Sequence, residues 1–97
     1  MFVIELNYIQ PLKIIDAHMQ EHIKFLDKYY ASGNFLMSGR KVPRSGGIII
    51  ATGKTKKEME KIIKADPFYK LGLAEFTITE FNASQRAQNV DDLIIDQ

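Results

Sequence analysis

Four short segments of strand character alternate with two of helical spacing, in the order β-α-β-β-α-β. That order constrains the fold more than any single residue does. Residues 2–9 alternate Phe2, Ile4, Leu6 and Tyr8 against Val3, Glu5, Asn7 and Ile9, the period of a half-buried strand. Pro11 ends it. Residues 12–32 put Ile15, Met19, His22, Leu26 and Tyr29 on one helical face, flanked by His18, Ile23, Phe25 and Tyr30. Gly33 suits the left-handed cap that closes such a helix. Residues 34–38 read as a short strand. Residues 38–47 carry three glycines, one proline and three cations and read as a ten-residue loop. Gly47-Ile48-Ile49-Ile50-Ala51 is the most apolar strand and is expected to lie inside the sheet. Thr55 and Glu58 form a capping-box pattern for a second helix, from Lys56 to Lys64, with Met59, Ile62 and Ile63 inward. Asp66-Pro67 is read as the end of that helix. Residues 68–73 form a short turn or helix stopped by Gly72, and residues 74–81 form the last strand, with Phe76 and Ile78 on one face.

This order predicts an α+β fold of the ferredoxin-like, split βαβ kind: an antiparallel sheet with both helices on one face. The other face would be open, with Val3, Ile9 and the outward positions of 47–51 wet. Packing sheet to sheet against a second copy is the simplest cover, so the expected assembly is a homodimer or higher homo-oligomer. With 97 residues the chain makes one domain, placed at residues 1–82. Residues 83–97 are read as a tail that contacts a partner subunit or stays disordered, with Leu93-Ile94-Ile95 as its apolar end. A domain of this size buries only about 60–65% of its unfolded surface, which also favours association. Thirteen basic and twelve acidic residues leave a net charge of +1, which singles out no polyanionic partner. The cations at Lys54, Lys56, Lys57, Lys61 and Lys64 are diluted by Glu58, Glu60 and Asp66, so a solvated face is expected rather than nucleic-acid binding. The absence of cysteine excludes disulfides and thiolate metal sites and is compatible with a cytoplasmic location. The first ten residues lack the basic start of a signal peptide, and no run approaches the ~18 apolar residues of a membrane helix.

Chemistry enters with His22, near the centre of the apolar stripe. A titratable imidazole in a core position is unfavourable unless paired. It is either a satisfied core histidine or a base tuned by a carboxylate. Asp66 is the candidate carboxylate, because both helices of such a fold lie on the same face of the sheet. Bound to one ring nitrogen, it would fix the tautomer and leave the other nitrogen free. His18 to His22 also spells H-x-x-E-H, a zinc-helix pattern, but no third protein ligand presents itself, so no metal is expected. The 38–47 segment offers backbone donors and the guanidiniums of Arg40 and Arg44 for a carboxylate or phosphate. It lacks P-loop spacing.

The ordered set His22, Phe25-Leu26-Asp27, Gly33, Ser38-Gly39, Pro43-Arg44, Gly46-Gly47, Asp66-Pro67-Phe68 and Gly72-Leu73-Ala74-Glu75 resembles the YciI-like (YCII-related) family over residues 1 to about 82. The resemblance implies a dimeric ferredoxin-like α/β barrel. It implies a site on a histidine–aspartate pair, here His22 and Asp66, with Ser38 and Gly39 beside it. Many members have proline after Ser-Gly where this chain has Arg40, which changes the charge and shape of the pocket mouth. The best-defined activity in the family is elimination of chloride from a chlorinated hydroxyhydroquinone.

Two functional readings follow. The first is a cofactor-independent enzyme of the lyase or isomerase type, acting on a cyclic or phenolic small molecule. His22 would move a proton and Asp66 would orient it. Ser38 and Gly39 would contact substrate, Arg40 or Arg44 would hold an anionic group, and Phe25, Tyr29 and Phe68 would line the apolar part. The second is a non-catalytic small-molecule-binding or regulatory dimeric module built on the same pocket. A pure interaction subunit, with His22–Asp66 as a structural bond and no open cavity, is a third outcome.

Overall fold

A computed structural model describes residues 1–90. Its elements are β1 (Phe2–Tyr8), α1 (Leu12–Ala17), α2 (Met19–Ala31), β2 (Phe35–Arg40), β3 (Gly46–Ala51), α3 (Lys56–Lys64), α4 (Pro67–Lys70) and β4 (Ala74–Glu80). The strands form one antiparallel sheet in the order β2-β3-β1-β4. Both inner strands have two partners, and β3 is one of them, as its apolar run predicts.

The alternation in β1 sorts the sheet into two faces. Phe2, Ile4 and Leu6 are buried beneath the helices, where Ile15, Phe25, Met59, Ile63 and Phe68 meet them. Burying one such side chain contributes about 1.5–3 kcal/mol, so this single cluster carries most of the driving force. Val3, Ile48 and Ile50 are half-buried on the other face and Met37 is exposed there, with Val3 and Met37 both opposite Ile50. Among the described residues no helix covers that face.

The capping box forms as its spacing predicts: Glu58 N–H donates to Thr55 Oγ1 at 3.2 Å and Thr55 N–H to Glu58 Oε1 at 2.9 Å. Gly33 takes φ +83° just past α2, the left-handed conformation glycine adopts without strain.

Two boundaries differ from the sequence reading. The helix expected over 12–32 breaks at His18, whose φ of −113° and ψ of 10° separate α1 from α2. The apolar period runs through the break unchanged, so periodicity does not register it. The expected loop at 38–47 is half strand, since Ser38, Gly39 and Arg40 pair with Ile49, Ile48 and Gly47. Only residues 41–45 turn. An edge strand pairs through its backbone and tolerates polar side chains, which is why this one resembled a loop. α3 closes at Lys64 as expected, with Ala65 as its cap, and Asp66-Pro67 go on to begin α4.

β2 also carries a bulge. Phe35 faces Ala51, but Met37, not Leu36, faces Ile50. One extra residue exchanges the two faces for everything after it. Ser38, which simple alternation from Phe35 would send to the open face, instead sits opposite the buried Ile49 and turns toward the helices. Residues 81–90 contain no helix or strand, and Leu93-Ile94-Ile95 lie outside the described residues. Among the described residues no helix is long and apolar enough to cross a membrane.

Candidate functional site

Asp66 is held by the local chain before it meets any partner. It is the N-cap of α4, its Oδ1 accepting the Phe68 N–H at 2.9 Å, with Pro67 at the first helical position. Phe68 is fully buried and anchors the motif in the core. In Asp-Pro-Phe, then, the aspartate caps the helix, the proline starts it and the phenylalanine anchors it.

His22 reaches the same oxygen from α2. Its Nδ1–H donates to Asp66 Oδ1 at 2.9 Å across 44 residues of sequence. Asp66 is 0% exposed and His22 8%. The imidazole is stacked on the Phe68 ring, with centroids 4.1 Å apart and planes within 3°. The carboxylate fixes the tautomer and the stacking fixes the plane, so Nε2 is left as the free acceptor. Asp66 Oδ2 is buried and has no hydrogen-bond partner among the described residues. Among the described residues the carboxylate's side-chain hydrogen bond is therefore with His22 alone.

His22 forms part of the wall of a cavity of about 200 Å³. Leu6, Met19, Ile23, Leu26, Ile48 and Ile49 supply apolar wall, and Tyr8, His22, Ser38 and Arg40 supply polar groups. A space of about 150 Å³ holds a benzene ring, so the cavity suits a single-ring molecule.

The residues expected to surround the pair separate into two groups. Ser38, Gly39 and Arg40 line the cavity. The Ser38 hydroxyl also meets the Tyr30 hydroxyl at 2.5 Å, which ties β2 to α2. Arg44 does not line it: its guanidinium reaches both carboxylate oxygens of Asp16 on α1. Phe25 and Tyr29 also lie elsewhere, in an aromatic cluster with Phe35 at centroid distances of 5.2–5.8 Å. Phe68 sits behind the imidazole rather than beside a ligand. The apolar lining comes instead from aliphatic side chains on β1, α2 and β3. His18 Nδ1 lies 3.5 Å from Glu21 Oε2, and among the described residues no group of three His, Cys, Asp or Glu could hold a metal.

Tyr8 is the cavity residue that the sequence reading passed over. Its signal is faint but real: it continues the inward alternation of Phe2, Ile4 and Leu6 and brings a hydroxyl to the end of an otherwise apolar row.

The Asp16–Arg44 pair gives the fold a pH dependence. The hydrogen bond from Arg44 holds the Asp16 carboxyl below its ordinary value, against a smaller opposing effect of burial. A depressed carboxyl stabilises the fold above its unfolded pKa, near 3.9, and that contribution is lost as pH falls through the folded value. Asp16→Asn is expected to lower stability at neutral pH, with the gap from the parent chain closing in acid. Urea denaturation of both proteins at stepped pH checks this. A constant gap would contradict it.

Comparison with known proteins bears on the fold and the family. No curated protein matches the chain. Among solved structures, the 5-chloro-2-hydroxyhydroquinone dehydrochlorinase TftG from Burkholderia phenoliruptrix AC1100, in complex with 2,5-dihydroxybenzoquinone, superposes with a TM-score of 0.70 at 17% identity, over 84% of this chain and 94% of its own. At that identity the likeness establishes the fold. The YCII-related domain model matches residues 1–82, nearly the whole described region, and the chain belongs to the YCII-related domain family.

Proposed function

We propose that this chain is a cofactor-independent enzyme of the lyase or isomerase type, acting on a single-ring, oxygen-bearing small molecule. What carries the reading is one observation: the His22 Nδ1–Asp66 Oδ1 bond of 2.9 Å, in the wall of a cavity sized for one ring. The fold likeness to a dehydrochlorinase solved with a quinone supports the same substrate class.

In this reading His22 Nε2 removes a proton from the bound ring or its hydroxyl. In an elimination, the released electron pair forms a new double bond as a leaving group departs with its own pair. In an isomerisation, the proton returns to another atom of the substrate. Asp66 holds the imidazole in place and balances the charge it gains. Ser38 donates or accepts at a ring oxygen. The Arg40 guanidinium forms no hydrogen bond or ion pair with the described residues and is available for an anionic substituent.

His22→Asn tests the assignment better than alanine does. The asparagine amide nitrogen takes the place of Nδ1 and can still donate to Asp66, while Nε2 is deleted. Turnover is expected to fall by about 10²–10⁴-fold. The assay is chloride release from 5-chloro-2-hydroxyhydroquinone and, with 2,5-dihydroxybenzoquinone, ring-proton exchange in D₂O by NMR. Bound ligands recovered without chloride loss or deuterium uptake would favour the non-catalytic binding module. Unchanged turnover in the variant would remove His22 from the mechanism.

We further propose that the open sheet face is closed by a second copy, making the homodimer. Its apolar residues Val3, Met37, Ile48 and Ile50 support this. Ile50→Lys is expected to yield monomers in light scattering coupled to size exclusion. A parent chain already monomeric at micromolar concentration would contradict it.

A further inference from the structure

Resting on the reading above, we propose that Gly47 is the residue that sets which rings the site accepts. The side chain it lacks is the hollow in the cavity floor, and the class it selects is a single unfused ring.

Strand register places the position. Ile49 and Ala51 of β3 are buried on the helix side of the sheet. Gly47, two residues before Ile49, stands on that same face. Its partners agree, because it lies between the buried Leu6 of β1 and Arg40 of β2. Two rows therefore cross the helix-covered face side by side. In the first, Ile4, Ile49 and Ser38 follow one another, and an isoleucine fills the middle. In the second, Leu6, Gly47 and Arg40 follow one another, and the middle carries no side chain. All three members of the second row line the cavity, which His22 and Leu26 line from α2.

The space beside Gly47 is open. An added Cβ would lie 3.1 Å from Gly39 O, and no other atom of the described residues beyond its chain neighbours comes within 4 Å. Gly46 is the opposite case, where a Cβ would run into Leu6 O of β1. The two adjacent glycines thus meet different needs. Gly46 lets β1 and β3 approach, and Gly47 leaves room above the sheet. That room has little to spare. The cavity measures about 200 Å³, and a space of about 150 Å³ already holds a benzene ring. The margin is that of one or two water molecules, at about 30 Å³ each. A methyl group at position 47 consumes part of the margin, and an isopropyl group takes space the ring itself needs. The selectivity is steric, so it is separable from the proton chemistry of His22 and Asp66.

The test is an equilibrium titration of 2,5-dihydroxybenzoquinone, followed by its visible absorbance, into the parent chain, Gly47→Ala and Gly47→Val, with thermal melts to verify each fold. Affinity is expected to fall about tenfold for alanine, the effect of one misfitted methyl-sized group in an apolar pocket, and beyond detection for valine. A second measurement needs no variant. In the parent chain labelled with ¹³C-glycine, the quinone ring protons are expected to show nuclear Overhauser contacts to the Gly47 Hα protons. Parent-like affinity in a folded Gly47→Val overturns the assignment. So do contacts from the bound ring to other residues with none to Gly47. Both outcomes leave the His22–Asp66 reading standing. No binding by the parent chain at millimolar quinone overturns the oxygen-bearing ring as substrate class, and this assignment with it.

Discussion

Asp66→Ala is expected to destabilise the fold by about 3 kcal/mol, while Asp66→Asn costs about 1 kcal/mol yet still loses activity. Alanine removes two bonds at once. The N-cap of α4 is worth about 1 kcal/mol. The His22 Nδ1–H left buried without an acceptor adds about 1–3 kcal/mol. In a chain of this length the melting temperature should fall by roughly 15 °C.

Asparagine separates geometry from charge. Oδ1 accepts both the His22 Nδ1–H and the Phe68 N–H, so an asparagine that keeps its oxygen there preserves both bonds. The backbone amide of Phe68 enforces that choice, because a flipped side chain would set an amide N–H against it. The imidazole tautomer is therefore retained. The remaining cost is an NH₂ at the Oδ2 position, where there is no hydrogen-bond partner among the described residues. What disappears is the negative charge facing an imidazole that, in the proposed reaction, becomes cationic. Turnover is expected to fall by about 10²-fold. Denaturation and turnover measured on both variants check the argument. Equal destabilisation by asparagine and alanine would mean that charge, not hydrogen bonding, holds the pair.

Gly46→Ala is expected to be at least as damaging to the fold, at about 3 kcal/mol or more. A Cβ at Gly46 would lie 1.7 Å from Leu6 O, 2.8 Å from Leu6 C and 3.2 Å from Asn7 Cα. All three are backbone atoms of β1, so no rotamer change relieves the contact. β1 and β3 would have to part where Asn7 pairs with Gly46 and Leu6 with Gly47. Gly46 also lines the cavity, so ligand binding should weaken as well. Gly39→Ala is the internal control. It lines the same cavity, yet an added Cβ there meets nothing within 4 Å. Its effect on stability is expected to stay within about 0.5 kcal/mol. A comparable loss from both substitutions, read from denaturation midpoints, would contradict the steric account, because Gly→Ala otherwise lowers the entropy of the unfolded chain and stabilises.

These two glycines show where sequence reasoning stops. In the chain they look alike, part of a glycine-rich and cationic stretch that resembles a loop. Their difference arises from strand pairing. The same holds for the site. His22 was legible because an imidazole in an apolar stripe violates a local expectation; Asp66, an ordinary acid before proline, stood out only because the expected fold puts both helices on one face of the sheet. Arg44 and Arg40 were indistinguishable as cations. The fold gives one to Asp16 and leaves the other at the cavity. The aromatic residues Phe25, Tyr29 and Phe68 were reasonable ring-binding candidates by type, but large flat side chains are also what a small core needs most. The core took them and left aliphatic residues to line the cavity.

What the sequence determined by itself is the order of the elements, the capping box at Thr55 and Glu58, and the inward face of β1 and α3. All of these depend on spacings of two to four residues, where backbone geometry alone relates one side chain to the next. The tertiary structure decided which oxygen of Asp66 serves both His22 and Phe68, that Tyr8 joins the cavity, and that a bulge after Phe35 turns Ser38 inward. Each of those depends on contacts between segments distant in the chain, and a shift of one residue in strand register is enough to reverse which face a side chain occupies.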